Sequence, residues 1–130
     1  PAYYSLGSLL ESQSRSNDAI DLYKTAIKNQ PDQNGYRLAL ADVYVTSEQY
    51  KSAEAILMDA LNHDSQNYLI YVGLGHLYFT QSDFEKALTM YESAKKLEPQ
   101  NTEVVYYISL SMSHLTKQQN SKTALQKASR

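Results

Sequence analysis

The sequence predicts an all-α protein built of antiparallel helix pairs stacked along one axis. Small residues recur at a constant stride. Ala19, Ala53 and Ala87 form one series and Ala26, Ala60 and Ala94 a second, each at intervals of 34 residues without slippage. Large apolar residues between them follow helical spacing, as in Tyr71, Leu74 and Tyr78, rather than the alternation of strands. Polar turn-formers and Pro31 or Pro99 punctuate the segments at matching places, and proline ends a helix by forcing its predecessor out of the helical region. A small side chain lets two helix axes approach closely, and the large ones opposite fill the space around it.

The first unit spans residues 1–33. Its first helix is expected over residues 2–13, with Tyr3, Leu6, Gly7 and Leu10 on one stripe, and its second over residues 16–29, turning Ala19, Ile20, Tyr23, Ala26 and Ile27 inward. Residues 12–17 between them are polar and favour caps and turns over helix interior. The second unit, residues 34–67, opens on Asn34 as an expected N-cap for a helix to Thr46. Ser47, Glu48 and Gln49 make its turn, and residues 50–62 its second helix, with Ala53, Ile56, Leu57 and Ala60 inside. The third unit, residues 68–101, starts after Asn67, and Ser82 with Glu85 matches a capping box ahead of a helix from Phe84 to Leu97. The fourth, residues 102–130, is worn. A helix to about residue 116 is expected to turn into a thin second one over residues 119–129, with Ser109 and Ala128 in the small slots and Ile108, Met112 and Leu125 in the large ones.

Tyr71, Leu74, Gly75 and Tyr78, then Ala87, Tyr91, Ala94 and Pro99, give the order aromatic-x-x-Leu-Gly-x-x-Tyr, Ala-x-x-x-aromatic, Pro. In that order and with those gaps the chain resembles the tetratricopeptide repeat family, over essentially its whole length. The resemblance implies a right-handed superhelical solenoid of about four repeats, whose first helices line a concave groove where a partner segment sits. It also implies a non-catalytic protein–protein interaction module.

Composition narrows the function classes. With 12 basic and 14 acidic residues the formal net charge is −2, which supplies no electrostatic footprint for nucleic acid or an anionic membrane. There is no cysteine, hence no disulfide or thiolate chemistry, which fits the cytosol or a bacterial periplasm. No apolar run reaches the ~18 residues of a membrane span. The chain opens inside the first repeat, which is the expectation for a piece of a longer protein. Neither cofactor nor metal is expected: His114 has no spaced ligand beside it, and the glycines at 73 and 75 sit mid-helix.

If Tyr71, Leu74, Gly75 and Tyr78 face the second helix, then Leu69, Val72, His76 and Phe79 face away from it, at about 100° per residue. The equivalent positions are Tyr4 in the first unit, Leu38, Asp42 and Val45 in the second, and Tyr106, Tyr107 and Leu110 in the fourth. These eleven residues are the expected groove. The surface is apolar towards its C-terminal half, and an exposed apolar patch marks contact with a partner. An apolar or amphipathic protein or peptide segment is the expected ligand; self-association or support of a neighbouring domain is the alternative. Chaperone adaptors of the family grip a C-terminal carboxylate with lysine, asparagine and arginine, whereas the corresponding positions here include Tyr4, Ser8, Ala39, Leu69 and Gly73, with no cationic donor. Ser8, Asp42 and His76 recur in register, but with the carboxylate between the other two, which is the wrong order for a catalytic triad. His63 is expected as a cation favourable at a helix C-terminus.

Overall fold

The computed structural model describes residues 6–7 and 15–129. Among the described residues six long helices follow one another: α1 (Ser16–Asn29), α2 (Asn34–Thr46), α3 (Tyr50–His63), α4 (Tyr68–Thr80), α5 (Phe84–Leu97) and α6 (Thr102–Ala128). Each packs on the next, and α2 also touches α4, so the helices stack as an all-α solenoid in which the buried residues of α1 to α4 form one cluster. The helix expected over residues 2–13 lies almost wholly outside the described residues. Leu6 and Gly7 are helical, and a Cβ added to Gly7 would meet the Tyr23 ring of α1.

Both alanine series are fully buried, at 0% exposure for Ala19, Ala53, Ala87, Ala26, Ala60 and Ala94. Gly75 shows why these slots are small. A Cβ there would lie 2.6 Å from Cδ1 and 2.8 Å from Cζ of Tyr91, which is itself buried on α5. Each of α2, α4 and α6 also carries a second buried stripe that the alanine pattern does not reveal. Tyr36, Ile70 and Val104 are one set and Val43, Leu77 and Ser111 the other, again at the repeat stride. Helices α2 and α4 are flanked on both sides, α2 by α1 and α3 and α4 by α3 and α5, so both stripes are covered.

The turns inside the second and third units are alike. Glu48 and Ser82 adopt left-handed backbone, with φ of 61° and 60°, and the next residue's N–H reaches back to the helix, Gln49 to Tyr44 O at 2.7 Å and Asp83 to Tyr78 O at 2.9 Å. These bonds close a Schellman-type C-terminus. Asp83 caps α5 by accepting from the Lys86 N–H at 3.3 Å, so the expected capping box on Ser82 is displaced by one residue. Asn34 likewise lies inside the first turn of α2 rather than at its cap. Its Nδ2 donates to Ala60 O at 2.9 Å, tying α2 to the end of α3. Asn67 and Asn101 do cap α4 and α6, accepting from Leu69 N and Val104 N at 3.0 and 3.1 Å.

The fourth unit departs from expectation, because α6 runs unbroken through the site of its turn. The residue in register with Glu48 and Ser82 is Thr116, whose branched Cβ disfavours the left-handed region, and Lys117 stands where Asp83 caps α5. With neither a left-handed residue nor an N-cap, continuing the helix costs least. The residues expected to pack between a first and a second helix are therefore exposed: Met112 at 53%, Leu125 at 70%, and Ser109 and Ala128 with them. Only the stripe facing α5 is buried, at Val104 and Ser111.

Candidate functional site

The concave-lining helices α2, α4 and the first half of α6 carry the expected groove residues, and the structure divides these into two places. Leu38, Asp42 and Val45 of α2 meet Leu69, Val72 and His76 of α4 around a half-open pocket of about 220 Å³, floored by Ala41, Leu57 and Gly73. The side-chain stagger follows from helix geometry, since residues three and four apart share a face. Gly73 leaves room there, a Cβ added to it meeting only the ends of the Leu57 and Leu38 side chains. Leu69 stays 47% exposed at the rim.

The second place is aromatic. His76 lies edge-on to Tyr91 and Tyr107, with ring centroids 5.5 and 4.6 Å away, and Tyr107 stacks on Tyr91 at 5.4 Å. Farther along α4, Phe79 meets Phe84 and His114 edge-on at 5.0 and 5.4 Å, while Phe84 and His114 stack at 4.7 Å. Phe79 and Tyr107 are thus held in packed clusters between α4, α5 and α6, and they brace the groove more than they offer free surface. Tyr106 stands out at 60% exposure beside them, and Leu110 is half-buried on the same helix. Tyr4, like Ser8, lies outside the described residues.

Electrostatics separate the two walls of the pocket. Burial pulls His76 below the usual imidazole range, with Asp42 and then Glu103 opposing. The Tyr91 hydroxyl, 2.6 Å from His76 Nδ1, has no other acceptor among the described residues, so it donates to Nδ1 and the ring proton sits on Nε2. Burial also raises Tyr91 and Tyr107, the latter helped by its 3.2 Å hydrogen bond to Glu103. Burial of one side of Asp42 against the apolar wall raises its carboxyl, and His76 across the pocket lowers it in part. Asp42 and His76 share this pocket without a hydrogen bond between them.

Arg37, which the sequence reading passed over, is the one buried cation among the described residues, at 3% exposure. It points away from the groove, donating to Asp59 at 2.9 Å, Pro31 O at 2.6 Å and Asn34 Oδ1 at 3.1 Å. Its NH2 lies 3.3 Å from His63 Nε2, and since guanidinium only donates, that nitrogen accepts while Nδ1 donates to Asp59 O at 3.0 Å. His63 thus lies in the last turn of α3, with its ring between Arg37 and the Asp59 carbonyl. No repeat carries the arginine again, so the stride gave no signal for it. Among the described residues no cluster of three or more His, Cys, Asp or Glu could hold a metal, and no helix is long and apolar enough to cross a membrane.

A stack of helix pairs joined by short turns, small residues at every close crossing and a concave face left open defines a helical-repeat protein. The family model described as tetratricopeptide repeat matches residues 10–67 and 47–107, and the chain belongs to that family. The human protein O-mannosyl-transferase TMTC1 is 29% identical over 115 residues, covering 88% of this chain, which spans only 13% of that protein's length. Among solved structures, the first TPR domain of human RPAP3 superposes with a TM-score of 0.80 at 23% identity, covering 92% of this chain and 94% of that one. The first TPR of Spaghetti, solved with the HSP90 peptide SRMEEVD, gives 0.78 at 22% identity over 88% and 94%.

Proposed function

We propose that the chain is a non-catalytic interaction module that holds an apolar or amphipathic segment of a protein partner in its concave groove. The observation that carries this reading is the pocket between α2 and α4, walled by Leu38, Val45, Leu69 and Val72 and open to solvent. A pocket of that size accepts one or two apolar side chains, and the exposed Tyr106 adds a rigid amphipathic surface at the α6 end of the groove. The Spaghetti domain takes a peptide ending in Glu-Glu-Val-Asp. Here the pocket offers leucine and valine and one carboxylate, so an acidic tail finds no counter-charge in it. Selection of binders from a random displayed-peptide library, followed by anisotropy titration, tests the reading. Leu69→Glu is expected to weaken selected binders at least about tenfold while leaving helicity unchanged, because Leu69 sits at the rim. Equal affinity in that variant overturns the groove assignment.

A second reading, an array that stacks on another copy or on a neighbouring domain, is favoured by one observation. Val105 at 41% exposure and Met112 at 53% lie on the α6 face that in earlier units is covered by a second helix. Light scattering across a dilution series tests the first of these, since a monomer mass at every concentration excludes stacking on another copy.

A further inference from the structure

Resting on the groove reading above, we propose that Asp42 is a subsite for a cationic side chain, so that the segment held in the groove presents a lysine or arginine beside the apolar residue that fills the pocket. Charge is sorted between the layers of the fold. All nine lysines, from Lys24 to Lys127, lie on α1, α3, α5 or the part of α6 beyond Thr116. The groove-lining segments carry one cation, Arg37, and it is buried and committed to Asp59, Pro31 and Asn34 on the far side of α2.

Asp42 is the pocket's carboxylate, and no hydrogen bond or ion pair from the described residues reaches it. Its neighbours differ in this respect: Asp59 holds Arg37, Glu54 accepts from Tyr78 at 2.6 Å and Glu103 accepts from Tyr107. His76 across the pocket does not cancel the charge, because Tyr91 occupies its Nδ1 lone pair and the ring carries a single proton. The carboxylate therefore has no partner among the described residues; Asp42 is exposed to solvent, with one side against Leu38, Val45 and Leu69, where partial loss of hydration favours pairing with an incoming cation. Its raised pKa has the same origin, and a bound cation would reverse it. An arginine or lysine serves both surfaces, since its aliphatic stem lies along leucine and valine while its head reaches the carboxylate.

The test sorts displayed-peptide binders of the 130-residue chain by charge and titrates the strongest against wild type, Asp42→Asn and Leu69→Glu. The expected result is enrichment of a basic residue next to an apolar one, an about tenfold loss with Asp42→Asn at unchanged helicity, and a larger loss when the peptide's basic residue becomes glutamate. Restored affinity of that glutamate peptide for Asp42→Arg would confirm direct pairing. Binders that carry no cation, or that lose affinity with Leu69→Glu but not with Asp42→Asn, overturn the subsite and leave the groove standing. Binders indifferent to Leu69→Glu overturn both.

Discussion

Gly75→Ala and Gly73→Ala form a pair of substitutions whose outcomes the structure separates by sign. Both replace a mid-helix glycine of α4, and alanine raises intrinsic helix stability by about 1 kcal/mol at either place. At Gly75 the new methyl falls 2.6–2.8 Å from Cδ1 and Cζ of Tyr91. That ring cannot slide away: it is fully buried, stacks on Tyr107 and holds His76 through its hydroxyl. Relief must come from separating α4 and α5, and overpacking of this kind costs about 3 kcal/mol or more, for a net loss of about 2 kcal/mol. At Gly73 the methyl meets the Leu57 Cδ2 at 3.1 Å, the far end of a side chain that can rotate, so the helix gain survives and the net effect is neutral to about 1 kcal/mol stabilising. Urea unfolding followed by circular dichroism reads both. If Gly75→Ala unfolds at the wild-type midpoint, Tyr91 is not pinned and the close-crossing account of the small residues fails.

Three further outcomes are expected. Arg37→Met should destabilise by about 2 kcal/mol, because Pro31 O and Asn34 lose a charged donor, while Asp59, with a side chain 48% exposed, can turn to water; an unchanged melting temperature refutes this. The lowered pKa of His76 means that the folded state resists its protonation, so stability present above pH 6.5 is lost as pH falls through the depressed value, and melting at pH 7.5 and 5.5 should show a drop that His76→Gln flattens. Asp42 acts with the opposite sign: its raised pKa gives back stability only as pH falls toward the ordinary carboxylate range, so Asp42→Asn should remove that gain in melting curves taken at more acid pH. Finally, Cys placed at 109 and 125 should stay reduced in the otherwise unchanged chain, being about 24 Å apart along a straight helix. They should form an intramolecular disulfide once Thr116→Gly and Lys117→Asp restore the turn chemistry, as mass spectrometry would show.

The pocket between α2 and α4 was legible because it is the complement of what the small residues mark: once Gly75 and the alanine series define the touching sides, Leu38, Asp42, Val45, Leu69, Val72 and His76 fall on the open one. Phe79 and Tyr107 share that angular sector, yet they are drawn into ring contacts with Phe84, His114 and Tyr91 on other helices. Angular position along one helix carries no information about a neighbour's reach, so their bracing contacts were not readable.

Local periodicity alone determined the helices from α1 to α5, the repeat stride and the buried alanines, since each depends on spacing within a few turns of chain. Tertiary structure decided what needs two or more helices at once: the second buried stripe through Ile70 and Leu77, the burial of Arg37, the tautomer of His76, and the sharing of one pocket by α2 and α4. The straight course of α6 lies between these cases, for Thr116 and Lys117 are plain in the sequence, and only comparison with the left-handed backbone at Glu48 and Ser82 gives them meaning.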